Sequence, residues 1–101
     1  MMAFVIVAHD APDTLEARAA TRPAHLARLD ALQEAGHLLL AGPMPITEHP
    51  DATAAGYHGS LIVAEFESID AARAWANADP YKEAGVYTHV DVYPFKPVYP
   101  K

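Results

Sequence analysis

The residue best placed to move a proton in this chain is a histidine on the inward face of a helix. The stretch Thr21-Arg22-Pro23-Ala24-His25-Leu26-Ala27-Arg28-Leu29-Asp30-Ala31-Leu32 has helical composition, with Thr21 as N-cap and Pro23 in a first turn, where a missing N–H costs nothing. At about 100° per residue, His25, Leu29 and Leu32 share one stripe with Leu26 beside it, while Arg28, Ala31 and Glu34 turn away. An inward imidazole left without a hydrogen-bond partner costs about 1–3 kcal/mol, so another residue must supply one. Two readings are open for His25: a core histidine bonded to a backbone carbonyl, or an imidazole oriented for general acid–base chemistry.

Other chemistries have less support. No serine stands at a nucleophile motif, since Ser60 begins a strand and Ser68 caps a helix. The chain has no cysteine, hence no disulfide, thiolate nucleophile or zinc–thiolate site, which fits a cytoplasmic protein. Among the six histidines, His9, His37, His49, His58 and His89 are spread over strand ends and a loop without the paired spacing of known metal motifs. Neither a metal nor another cofactor is expected. Arg22, near His25 on the helical wheel, is either a two-pronged anchor for a substrate carboxylate or a solvent-exposed arginine. Arg22 and Ser60 are the candidate substrate-binding residues. Trp75 and Tyr81 are read as packing rather than as a stacking platform. Tyr87, His89 and Asp91 alternate along one strand and so share a face, either lining the cleft or sitting at a sheet edge.

Composition narrows the partners. The 101 residues make one domain, residues 1–101, and at 51% hydrophobic and 20% charged they should fold. A net charge of −6 with seven Lys and Arg argues against nucleic acid and against an anionic membrane surface. The apolar opening from Met1 to Ala8 is too short to span a bilayer and reads as a strand.

The elements that position these residues follow in order. Ala3–Ala8 is a β-branched and aromatic strand ended by Asp10, Pro12 and Asp13. Thr14–Ala20 is helical in composition, with a kink or restart at Thr21-Arg22-Pro23 before the helix runs to Ala35, so the first helix is long or broken. Gly36 stops it, and His37–Ala41 is a short strand ended by Gly42-Pro43. Met44–His58 has no period and reads as a mobile loop bordering the site. Gly59–Glu67 is the third strand and Ser68–Ala76 the second helix, with Ser68 as its cap. Asp79 precedes Pro80, which pushes it out of helical geometry to a corner with its carboxylate free of capping duty. Val86–Phe95 is the fourth strand, and the proline-bearing tail from Lys96 cannot join a central ladder.

Strand, helix, strand, strand, helix, strand with right-handed crossovers is an α+β, ferredoxin-like antiparallel sheet with two helices on one face. Alternation places Phe4, Ile6 and Ala8 opposite Ala3, Val5 and Val7, Leu38 and Leu40 opposite Leu39 and Ala41, and Leu61 and Val63 opposite Ile62, Ala64 and Phe66. Both faces are apolar and the helices cover one, so a second copy is expected on the other. The partner is then the chain itself, as a homodimer or a higher assembly, with the tail crossing onto it.

The ordered pieces Arg22-Pro23-Ala24-His25-Leu26, Ala35-Gly36-His37-Leu38, Ala41-Gly42-Pro43, Gly59-Ser60-Leu61-Ile62-Val63, Ala78-Asp79-Pro80-Tyr81 and Ala84-Gly85-Val86 resemble the YciI-like proteins of the dimeric α+β barrel superfamily, over about residues 3 to 96. The resemblance implies a ferredoxin-like fold, a dimer, distant kinship with muconolactone-isomerase-like enzymes, and an active site of one histidine and one aspartate, which match His25 and Asp79. The topology agrees, because the end of the second helix and the first turns of the first lie on one side of the sheet. A carboxylate on one ring nitrogen fixes the tautomer and leaves the other nitrogen to move a proton on a bound small organic molecule. The expected function is an acid–base enzyme of the lyase, isomerase or dehydrohalogenase type. The alternative is a small-molecule-binding or accessory dimer without turnover, in which His25 and Asp79 are a structural pair.

Overall fold

The computed structural model describes residues 1–48 and 55–101. It contains β1 (Met2–Asp10), α1 (Leu15–Glu34), β2 (Leu38–Pro45), β3 (Tyr57–Phe66), α2 (Ile69–Asn77), the short α3 (Pro80–Glu83) and β4 (Tyr87–Phe95). The four strands form one antiparallel sheet in the order β2-β3-β1-β4, and the helices pack on one face. This is the α+β, ferredoxin-like fold of the dimeric α+β barrel class. Among the described residues no helix is long and apolar enough to cross a membrane.

The covered face carries Phe4, Ile6, Ile62, Ala64 and Phe66, which close on Ala72 and Ala76 of α2 with Leu29 and Leu32 of α1 at the margin. Strict alternation along β1 and β3 puts these residues on one side and leaves Val5, Val7, Leu61 and Val63 on the other. Val63 pairs with both Val5 and Leu40, and Val5 also pairs with Tyr93, so four apolar side chains cross the open face in one row. Leu40 and Tyr93 are more than half exposed. Gly59, opposite His9, has no room for a side chain, because a Cβ there would overlap the carbonyl oxygen of Ala8.

Several expected boundaries move, each for a local reason. The first helix is unbroken and starts at Leu15 rather than restarting at Thr21. Pro23 removes one interior hydrogen bond, but the helix is pinned on both sides of it, by Arg18 to Asp10 and by His25 to Asp79. Thr14, not Thr21, stands at the N-cap, with its hydroxyl donating to the Ala11 carbonyl. The helix ends as expected at Gly36, whose φ of +79° is left-handed and lets Gly36 and His37 donate to Gln33 and Leu32. The second strand continues through Gly42-Pro43 to Pro45, which is possible because β2 is an edge strand. Its extension and the start of β3 at Tyr57 take up both ends of the expected 44–58 loop, while residues 49–54 of that expectation lie outside the described residues.

Two bulges overturn the simple alternation. Leu38 pairs with Ala64 and Leu40 with Val63, so Leu38 lies on the covered face and Leu40 on the open one. In β4, His89 pairs with His9 but Tyr87 pairs with Asp10, leaving Thr88 as the extra residue. Tyr87 therefore joins the buried cluster with Ala8, Tyr81 and Val86, and His89 and Asp91 face the other way.

Candidate functional site

The site is assembled from α1, the corner before α3, the start of β3 and the start of β4. Arg18, Arg22 and His25 recur at helical spacing along one side of α1. His25 and Asp79 come together: Nδ1 of the ring lies 3.0 and 2.9 Å from Oδ1 and Oδ2 of the carboxylate, with the side chains 8% and 3% exposed. The His25 ring stacks on Tyr81 at 4.1 Å and 18°. Asp79 is not free of capping, contrary to the sequence reading. It is the N-cap of α3, and its Oδ1 accepts from the Tyr81 backbone N–H at 2.9 Å. The pre-proline geometry at φ −61°, ψ 131° is what an N-cap requires, so one residue serves both purposes.

A carboxylate can only accept, so in the neutral ring the Asp79 contact places the proton on Nδ1 and leaves a lone pair on Nε2. No described group bonds Nε2, and it is not among the atoms sealed from solvent. His25 lines a cleft of about 560 Å³ between α1 and the β2–β3 edge, a volume in the range of small-molecule sites. Leu26, Leu29 and Ile62 supply apolar walls, and Arg18, Arg22 and Ser60 the polar ones.

Arg18 is the polar centre of this cleft. Its Nε and Nη2 donate to Asp10 at 2.8 and 3.3 Å, and Nη2 also donates to Ser60 Oγ at 2.7 Å. Its guanidinium carbon sits 4.7 Å from the ring centre of Tyr57 and 4.8 Å from that of Tyr81. Burial works against the charge of Arg18, but hydrogen bonding to Asp10 and its negative charge outweigh this and hold the guanidinium above the usual arginine range. Tyr87 donates its hydroxyl to Ser60 Oγ at 2.8 Å, and burial pushes this phenol well above its ordinary range despite that bond. Burial also raises Tyr81, against the lowering effect of Arg18 and Arg22.

Of the residues singled out from sequence, His25 and Asp79 are in contact and Ser60 is buried in the same cleft, accepting from Arg18 and Tyr87. Arg22 is exposed on the cleft wall and touches neither His25 nor Asp79 through any recorded hydrogen bond or ion pair. Trp75 packs on Phe66 at 5.7 Å, as expected, whereas Tyr81 both packs and forms part of the cleft. Arg28 does not simply turn away. Its guanidinium lies 4.3 Å over Trp75 and donates to the Trp75 carbonyl, and burial holds it below the usual arginine range against a smaller opposing pull from Asp79. Arg18 and Asp10 were missed, and Tyr87, expected on one face with His89 and Asp91, is separated from them by the bulge at Thr88. Arg18 lies seven residues before His25, two turns back on the same stripe, and a helix begun at Thr21 excludes it.

Residues 2–96 match the YCII-related domain. The chain is 58% identical over 98 residues to Protein YciI of Escherichia coli O6:H1, covering 97% of this chain and 100% of that protein. It is 51% identical over 98 residues to an uncharacterized protein of Haemophilus influenzae, with the same coverage. Among solved structures, the 5-chloro-2-hydroxyhydroquinone dehydrochlorinase of Burkholderia phenoliruptrix AC1100, in complex with 2,5-dihydroxybenzoquinone, superposes with a TM-score of 0.81 at 29% identity over 94% of each chain.

Proposed function

The chain belongs to the YCII-related domain family, and from that premise we propose that it is an acid–base enzyme, acting as a homodimer, in which His25 and Asp79 move a proton on a small organic molecule. The observation that carries this reading is a buried carboxylate on Nδ1 of an imidazole whose other nitrogen opens into a cleft. A merely structural pair has no need of that opening. Asp79 holds the tautomer, Nε2 of His25 takes or gives the proton, and Arg18, Arg22 and Ser60 hold an oxygen-bearing, anionic ligand. A lyase, isomerase or dehydrohalogenase reaction fits these parts: the first and last remove a proton as a leaving group departs, and an isomerase returns the proton it removed to another atom, each next to a developing negative charge.

The similarity to a dehydrochlorinase with a dihydroxybenzoquinone bound favours a hydroxylated aromatic or quinoid substrate. In such a reaction a proton leaves to His25 while chloride departs with the electron pair of its bond. The test is chloride release from 5-chloro-2-hydroxyhydroquinone, alongside calorimetric binding of 2,5-dihydroxybenzoquinone. His25→Ala should lower turnover by about 10²–10⁴-fold while folding and ligand binding persist. Equal turnover by the variant and the parent would refute the role of His25. The dimer is tested separately: the row of Leu40, Val63, Val5 and Tyr93 needs a cover, and light scattering should give twice the 10.9 kDa of one chain. A stable monomer at micromolar concentration would sink that part.

A further inference from the structure

Three buried side chains of the site, Arg18, Ser60 and Tyr87, form one hydrogen-bonded chain in which the direction of each bond can be worked out. Ser60 is 2% exposed and shares the helix-covered side of β3 with Ile62 and Ala64. Its Oγ lies 2.7 Å from Nη2 of Arg18 and 2.8 Å from the hydroxyl of Tyr87. A guanidinium has only hydrogens to offer, so Ser60 accepts from Arg18 and one of its two lone pairs is filled.

The bond to Tyr87 has two possible directions, and one of them leaves a buried hydrogen unpaired. If Ser60 donated, the phenol would have to place its own hydrogen elsewhere, and among the described residues no other acceptor meets the buried Tyr87 hydroxyl. If Tyr87 donates, its hydrogen is paired and the Ser60 hydrogen is the one left over. Ser60 lines the cleft and Tyr87 does not, so the left-over hydrogen lies where a ligand can accept it. Burial keeps the Tyr87 phenol protonated above its ordinary range, so this donor persists through neutral and moderately alkaline pH.

With both lone pairs occupied, the Ser60 hydroxyl can donate to a ligand but cannot accept from one. Arg18, fixed by Asp10 and flanked by the rings of Tyr57 and Tyr81, sets a buried positive charge beside that hydroxyl and polarises it. Here the cleft favours an oxygen that carries lone pairs and no hydrogen, whereas the neutral His25 ring, bare at Nε2, favours the reverse. We infer that the cleft takes its aromatic substrate as the ionised phenolate, with the phenolate oxygen on the Ser60 hydroxyl, and that Tyr87 is the positioning residue that turns this hydroxyl into the cleft. The phenol proton leaves to solvent. The inference rests on the proposed acid–base reading for its class of substrate, but it concerns binding and does not need turnover.

The probe is 4-nitrophenol, which is yellow only as its phenolate, titrated by absorbance across pH with the full chain. His25→Gln is titrated alongside, since it keeps a donor for Asp79 and removes the base. In both proteins the bound phenol should ionise at least about one pH unit below the free phenol. Ser60→Ala should weaken phenolate binding about 10–100-fold, the loss of a hydrogen bond to a charged group, and Tyr87→Phe about 2–10-fold, with the ionisation of the bound phenol moving back toward its free value in each. A purely structural role for Tyr87 would change the melting midpoint and leave that ionisation where it was. Circular dichroism checks each variant, and Ser60→Cys, a weaker donor, replaces Ser60→Ala if that fails to fold. No saturable binding, binding as the colourless phenol, or an ionisation indifferent to either substitution would overturn the inference. Turnover unchanged in His25→Ala, with the phenolate signature present, would refute the role of His25 and still support this one.

Discussion

Replacing Asp79 tests the site where structure and chemistry meet. Asp79→Ala removes the acceptor for both the His25 Nδ1–H and the Tyr81 backbone N–H, and both donors are buried. Loss of the N-cap costs about 1 kcal/mol, and the unpaired ring donor about 1–3 kcal/mol. The sum is about 2–4 kcal/mol, and at about 4–8 °C per kcal/mol for a domain of this size the midpoint should fall by at least about 8 °C. Asp79→Asn should fall less, by about 1–2 kcal/mol, because one amide oxygen still caps α3 while its NH₂ group turns toward the ring. Nδ1 then becomes an acceptor and the imidazole proton moves to Nε2. Thermal melts at one fixed protein concentration measure the first effect, and ¹⁵N NMR of the histidine ring reads the second. The reasoning is refuted if neutral His25 carries its proton on Nε2 in the parent protein, or if Asp79→Ala melts within about 2 °C of it.

Three further outcomes follow from the same geometry. Arg18→Met leaves the Asp10 carboxylate buried and unpaired and should cost about 3–5 kcal/mol in denaturant unfolding, with most of the loss recovered in the double variant Arg18→Met/Asp10→Asn. Tyr81 and Tyr87 have folded-state values raised by burial, so their contribution to stability is complete below the ordinary phenol range and is lost as pH climbs through their raised values; in an absorbance titration at alkaline pH both should ionise above the ordinary phenol range. Gly59→Ala should cost about 3 kcal/mol or more or give insoluble protein, and a soluble variant with an unchanged melting midpoint would show that β1 and β3 can separate locally.

The order of elements was legible because each is marked by local chemistry. Gly36 requires a left-handed residue, Ser68 does cap α2 at the Ala71 N–H, and β1 and β3 have the β-branched run their pairing needs. The inward face of His25 was legible from three residues of one stripe. What sequence periodicity could not reach was anything decided by another strand. The continuity of α1 through Pro23 rests on Asp10 and Asp79, which lie on other elements. The second role of Asp79 depends on a four-residue helix too short to have a period. The separation of Tyr87 from His89 depends on pairing with β1, and so does the meeting of His9 with His89, which are 80 residues apart in the chain.

The unpaired residue in β4 also bears on how the chain can tolerate changes of length. Every other residue of Tyr87–Phe95 occupies a rung of the ladder, and deleting one would invert the sidedness of all that lies beyond it, carrying Val90 or Val92 out of the core or Tyr93 into it. Thr88 has no rung. Its removal would leave Tyr87 against Ser60 and His89 against His9, with the kink between them straightened, and would take away only the hydroxyl that orients His89. Position 88 is thus the one place in this strand where a single-residue deletion spares both faces of the sheet.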